Sequence, residues 1–178
     1  MIPLGKMADS FIDNAILTKS QESVRPDQPL TLSLSFSIQG SIREAFSQKN
    51  WERAYNKHDK SFLIKIEIDL KSGRRRILLF KLVRKAALFW TRSPKIPYRI
   101  WVSIIKDDTP FYPLTEEEAK SLLFDVNKVI ELKGSDLNSG THKLYTDIKV
   151  SWGKHVYAKP NEIKGRSNGI ELMRVATP

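Results

Sequence analysis

The 178-residue chain has no cysteine, which excludes disulfides, thiolate metal sites, iron–sulfur clusters and cysteine nucleophiles together. Histidine is scarce, with only His58, His142 and His155. The most apolar window, Ile77 to Trp90, is broken by Lys81, Arg84 and Lys85. Those charges are costly at bilayer depth and leave no run of about 20 apolar residues for a spanning helix. The opening Met1-Ile2-Pro3-Leu4-Gly5-Lys6 lacks a basic lead into an apolar run, and Asp9 and Asp13 interrupt the next stretch of chain, so no signal peptide is expected. G-x-S-x-G, H-E-x-x-H, the P-loop and G-x-G-x-x-G are missing as well, which leaves no motif for a serine hydrolase, a zinc protease or a nucleotide site. A cysteine-free chain without a leader is expected in a reducing cytoplasm.

The residues present suffice for a core. Eight Phe, four Trp and five Tyr argue for a folded chain, and a compact domain of this size buries roughly 70% of the surface its unfolded chain exposes. Leu30, Leu32, Leu34, Phe36 and Ile38 alternate with Thr31, Ser33, Ser35, Ser37 and Gln39, the period of a strand with one wet face in an antiparallel sheet. Phe62, Ile64, Ile66, Ile68 and Leu70 alternate with Leu63, Lys65, Glu67, Asp69 and Lys71 in the same way. Ser72-Gly73 then signals a turn into Arg74–Arg84 as hairpin partner.

Further short strands are expected at Asn14–Lys19, Ala87–Thr91, Tyr98–Ile105, Leu123–Leu132, Leu144–Trp152, Val156–Lys159 and Ile170–Val175, with a proline-bounded turn at Arg25–Pro29. Two short helices interrupt them. One runs from Ser41, which has capping-box spacing to Glu44, to about Asn56; the other starts at Thr115, with Glu116, Glu117 and Glu118 where the helix dipole favours acids. This density of strands and turns predicts a two-layer sandwich or barrel, as a single domain over 1–178 with residues 1–29 an N-terminal edge strand or arm.

The loop and strand Leu137-Asn138-Ser139-Gly140-Thr141-His142-Lys143-Leu144, continued by Tyr145 to Trp152, resemble the late strands of immunoglobulin-like and arrestin-like sandwiches. There a glycine-bearing loop leads into a strand that begins with a ring-bearing residue, a place His142 takes where many members have Tyr. The stretch Val24 to Leu32 is similar to the turn into their second strand. The resemblance implies a fold only, and Trp90, Trp101 or Trp152 as a core tryptophan. The fold expectation is therefore all-β: an antiparallel two-layer sandwich of immunoglobulin-like or jelly-roll type with one or two short helices.

The net charge of +10 is unevenly spread. Residues 41–106 carry 17 basic and 5 acidic side chains, the rest of the chain 13 and 15. The cations peak at Lys71, Arg74, Arg75, Arg76 and Lys81 and continue through Arg84 and Lys85; these seven residues are the candidate anion-binding or nucleic-acid-binding set. Interleaved with Trp51, Tyr55, Phe89, Trp90, Tyr98 and Trp101, such a patch suits a surface that tracks phosphates and stacks bases. The plainer interpretation is that lysines and arginines face water and guard sheet edges while the aromatics fill the core.

His142, His155 and Asp147 form the one constellation with metal-binding residue types, and without short local spacing the histidines are expected to be surface or structural residues. Asp107-Asp108 precedes Thr109-Pro110, where turn chemistry accounts for it. No catalytic residue, metal or cofactor is expected. A non-catalytic binding module with a protein partner ranks first. A nucleic-acid binder using residues 41–106 ranks second, and a jelly-roll structural or coat protein third. A membrane surface, lacking a basic amphipathic helix or lipidation signal, falls below nucleic acid.

Overall fold

The computed structural model describes residues 10–40, 42–43, 63–84, 88–93, 124–153 and 161–176. Ten strands succeed one another there: β1 Phe11–Lys19, β2 Ser23–Val24, β3 Pro29–Gln39, β4 Leu63–Ser72, β5 Arg75–Arg84, β6 Leu88–Ser93, β7 Asp125–Lys133, β8 Gly140–Gly153, β9 Asn161–Arg166 and β10 Ile170–Arg174. They make two sheets. The smaller has the order β1-β3-β7, the larger β2-β10-β8-β4-β5-β6, with β9 also paired to β8.

The two layers share one core because the alternation of the strands turns an apolar face inward from each. Leu30, Leu32, Leu34, Phe36 and Ile38 of β3 are all buried, as are Ile66, Ile68 and Leu70 of β4 and Leu144, Ile148, Val150 and Trp152 of β8. Among the described side chains the core tryptophan is Trp152, at 2% exposure; Trp101 and the side chain of Trp90 lie outside them. Cross-strand register keeps these residues in line: Ile66 lies between Leu82 and Val150, and Ile68 between Phe80 and Ile148.

The antiparallel two-layer sandwich expected from the alternation is present. Consecutive strands β4, β5 and β6 pair as a meander in one sheet, unlike the interleaved Greek keys of a jelly roll. The one parallel pairing among the described residues, β2 with β10, lets the chain leave β1 in one sheet and touch the other before β3.

Two local devices keep the register. Ile12 and Leu17 of β1 must both face inward opposite Ile38 and Leu34, an odd spacing that strict alternation cannot satisfy. A bulge between Asp13 and Ile16 absorbs the extra residue, with Asn14 at φ 54°, a left-handed conformation that Asn tolerates better than most residues. Between β9 and β10, residues Ser167–Gly169 step off the sheet while Ser167 still exchanges hydrogen bonds with Thr146 (2.9 and 3.0 Å). Asn168 reaches the other layer. Its amide accepts from the Leu17 N–H at 2.7 Å and donates to the Leu17 carbonyl at 3.1 Å, so one side chain takes the place of a strand on the outer edge of β1.

His142, expected as the ring at the start of a late strand, receives a hydrogen bond at Nδ1 from the Ser72 hydroxyl (2.6 Å) and donates from Nε2 to the Asn138 carbonyl (2.5 Å). A carbonyl only accepts, so Nε2 carries the proton. The bond back to a carbonyl four residues upstream is the role that the corner tyrosine plays in immunoglobulin-type sandwiches.

Two differences from the sequence expectations stand out, and several other expectations fall outside the described residues. Helical residues among those described are the one-turn 3-10 segment Gly134–Asp136, Ile42–Arg43 and Phe124; the rest of the expected Ser41–Asn56 helix and the expected helix from Thr115 lie outside them. So do the expected strands Tyr98–Ile105 and Val156–Lys159, along with His58, Asp107, Asp108 and His155. Strand β9 is an addition to the expected set. Finally, the outer face of β4, expected to be wet, is largely covered: the side chains of Lys65, Glu67 and Asp69 are 17, 14 and 12% exposed, because charged neighbours on both sides lie over one another.

Candidate functional site

The outer face of the larger sheet is a charged array whose pattern is set by register. Across β9, β8, β4 and β5, one row reads Lys164, Lys149, Glu67, Lys81, and the next reads Arg166, Asp147, Asp69, Leu79. A third row, at the turn end, holds Tyr145, Lys71 and Arg76. Rows on one face are two residues, or roughly 6.8 Å, apart along a strand, and neighbouring strands about 4.8 Å. These rows line a depression of about 510 Å³ bordered by Glu67, Asp69, Arg76, Leu79, Asp147, Ile148, Lys149, Lys164, Gly165 and Arg166.

Within the array each carboxylate has several cations. Glu67 lies 3.1 Å from Lys65, 3.3 Å from Lys149 and 3.6 Å from Lys81. Asp69 accepts both prongs of the Arg76 guanidinium at 2.9 and 2.8 Å, the fork geometry that makes Arg–carboxylate pairs strong. Asp147 accepts from Lys71 at 2.9 Å and from Arg166 at 2.7 Å, and the Arg166 guanidinium also stacks over the Tyr145 ring at 4.6 Å. The Tyr145 hydroxyl in turn donates to the Gly73 carbonyl at 2.6 Å, tying the array to the β4–β5 turn.

Ionisation reflects this geometry. Burial pushes the Glu67 carboxyl up, but the Lys65 and Lys149 ammoniums, with Lys81 behind them, outweigh it and hold the group below the usual carboxylate range. For Asp147, burial acts upward and is overcome by the hydrogen bonds from Arg166 and Lys71. Lys71 is raised, chiefly by its bond to Asp147. Lys81 moves down, because burial and the charges of Lys65 and Lys149 outweigh its attraction to Glu67. Glu67 and Asp147 are therefore both ionised at neutral pH.

The seven cations singled out from the sequence are divided by the structure. Lys71, Arg76 and Lys81 lie on this face, each against a carboxylate. Arg74 and Arg75 sit exposed at the tip of the β4–β5 hairpin, where Gly73 at φ 59° makes the turn, and no carboxylate pairs with either among the described residues. Arg84 is placed only by its backbone pairing with Ile64 and Leu88. Lys85 lies outside the described residues. Sequence reasoning missed Lys149, Lys164 and Arg166, because it weighed charge by segment. The wet face of β8 was legible as alternation, but β9 offers one apolar residue, Ile163, between polar ones.

Among the described residues no group of three or more acids and histidines is placed to hold a metal. Both nitrogens of His142 are engaged, and Asp147 is committed to two cations. Among the described residues no helix is long and apolar enough to cross a membrane.

No family model matches the chain, and no curated protein matches it. Among solved structures it is similar to AggA, the major subunit of aggregative adherence fimbriae type I from Escherichia coli, at 8% identity and a TM-score of 0.35, with 94% of this chain and 97% of that one covered. A likeness this distant says nothing about a shared function.

Proposed function

We propose that the protein is a non-catalytic binding module of β-sandwich type that engages a protein partner through the outer face of its larger sheet. The observation that supports this is the mixed sign of the array: Glu67, Asp69 and Asp147 alternate with lysines and arginines in fixed cross-strand register. Complementary charges of both signs steer and orient protein partners, whereas a surface that tracks a phosphate backbone gains its affinity from cations of one sign. Lys71, Arg76 and Lys81 already face carboxylates of this chain, which weakens the nucleic-acid reading; the Arg74–Arg75 tip is what remains for it.

The test is site-specific photocrosslinking in the cells that make the protein, with a photoreactive residue at Arg166 on this face and, as control, at Ser33 on the outer side of β3. Protein adducts at position 166 and none at 33 are expected. Adducts to nucleic acid at 166, or equal protein adducts at both positions, would refute the reading.

A further inference from the structure

Three like-charge pairs stand directly opposite one another on the same face: Asp69 against Asp147 across β4 and β8, Lys71 against Arg76 across β4 and β5, with Asp69 within 4.0 Å of both, and Lys149 against Lys164 across β8 and β9. Like charges in that relation destabilise a sheet. The acidic pair is repaired. Lys71 bridges it, at 2.9 Å from Asp147 and 4.0 Å from Asp69, and Arg76 and Arg166 add one guanidinium to each side.

The Lys149–Lys164 pair has no such bridge among the described residues. Lys149 shares Glu67 with two other lysines. Lys164 has Glu162 on its own strand at 3.5 Å, with the two side chains 72 and 40% exposed. Both lysines border the same depression.

Resting on the proposed interaction face, we infer that the Lys149–Lys164 pair is the seat for a carboxylate presented by an acidic segment of the partner protein. An aspartate or glutamate set between the two ammoniums supplies the bridge that Lys71 supplies to the acidic pair. The neighbouring row selects the occupant. Asp69 and Asp147 lie one row, roughly 6.8 Å, away, so a polyphosphate, whose charges are fixed along its backbone, runs onto them, while the flexible side chains of an acidic peptide set one carboxylate at the pair and turn the others to solvent. The free protein carries the repulsion, and binding relieves it.

This makes stability and binding respond oppositely to one substitution. Lys164→Glu places an acid opposite Lys149, so the free protein should melt at the same temperature as the parent or higher, while the affinity of a labelled hexaglutamate peptide, read by fluorescence anisotropy at low salt, falls about tenfold or more. Lys164→Gln should weaken the peptide in the same direction without adding an acid. Arg74→Glu makes the same change in net charge away from the seat, and should leave peptide affinity within about twofold of the parent, which separates a local seat from bulk attraction.

Equal loss in Lys164→Glu and Arg74→Glu, no loss in either position-164 variant, or a single-stranded oligonucleotide of matched charge that binds more tightly than the peptide and depends on Lys149 and Lys164, would each overturn the inference. Crosslinking at position 166 reads the face independently. Adducts there with unchanged hexaglutamate binding in Lys164→Glu sink the seat and keep the face; no adducts at all sink the face itself.

Discussion

Removing the charge of Glu67 is the sharpest perturbation of the array. Its side chain is 14% exposed and has three ammoniums within 3.6 Å, of which Lys65 and Lys81 are themselves only 17 and 13% exposed. In Glu67→Gln those cations face one another without the carboxylate. Breaking a fully buried pair from one side costs about 3–5 kcal/mol and an exposed pair under about 1 kcal/mol. Lys149 is 39% exposed, and Lys65 and Lys81 keep other interactions, so a loss of about 2–3 kcal/mol is expected, or roughly 5–10 °C in melting temperature for a domain of this size.

The same variant makes a pH signature. Glu67 titrates below its ordinary value in the folded protein, so its contribution is complete above the unfolded value of about 4.3 and is lost as pH falls through the lower folded value. The stability gap between parent and Glu67→Gln, measured by urea unfolding monitored with circular dichroism, should be full at pH 7 and close in strong acid. A gap under about 0.5 kcal/mol at neutral pH, or one that persists unchanged in acid, would refute the assignment of Glu67 as the shared counter-ion.

The geometry sets three other outcomes. Asn168→Ala removes both hydrogen bonds to the Leu17 backbone and should cost about 1–2 kcal/mol, with faster hydrogen exchange at the Leu17 amide as the local readout. In Gly134→Ala the new Cβ would lie 1.9 Å from the Arg25 carbonyl oxygen, a backbone atom that cannot rotate aside; a loss of about 3 kcal/mol or more is expected by chemical denaturation. Arg74→Glu combined with Arg75→Glu should leave unfolding within about 0.5 kcal/mol of the parent, since both are exposed at the hairpin tip; a larger change would reveal a contact there that the fold depends on.

The strands that could be found from sequence are those with one apolar and one polar face. The alternation over Leu30–Gln39 corresponds to β3, and the paired runs about Ser72-Gly73 correspond to the β4–β5 hairpin with its turn in place. Strand β9 is invisible in sequence because Asn161-Glu162-Ile163-Lys164-Gly165-Arg166 has no periodic apolar signal; it is a strand because β8 needs a partner along Asp147–Trp152. Gly165 shows the same tertiary control: it faces inward where Ile12 crosses, and a Cβ there would come within 2.9 Å of the Ile12 side chain. The interaction face was half legible. A charge count over residues 41–106 found Lys71, Arg76 and Lys81 and counted Glu67 and Asp69 without pairing them, while Asp147 escaped it because the pairing of β4 with β8 brings that residue beside Lys71 across 76 positions of chain.

The amide of Asn168 also sets an order on assembly. It stands 151 positions from Leu17, so during synthesis the outer edge of β1 at Leu17 stays open until the chain through Asn168 has emerged. Loop closure over that distance is slow, and an unpaired edge is where partly folded chains associate. A nascent chain stalled before position 168 would thus leave the Leu17 backbone unpaired on that edge, and the yield of folded protein should depend on how quickly the chain is extended through Asn168 as well as on the strength of the core.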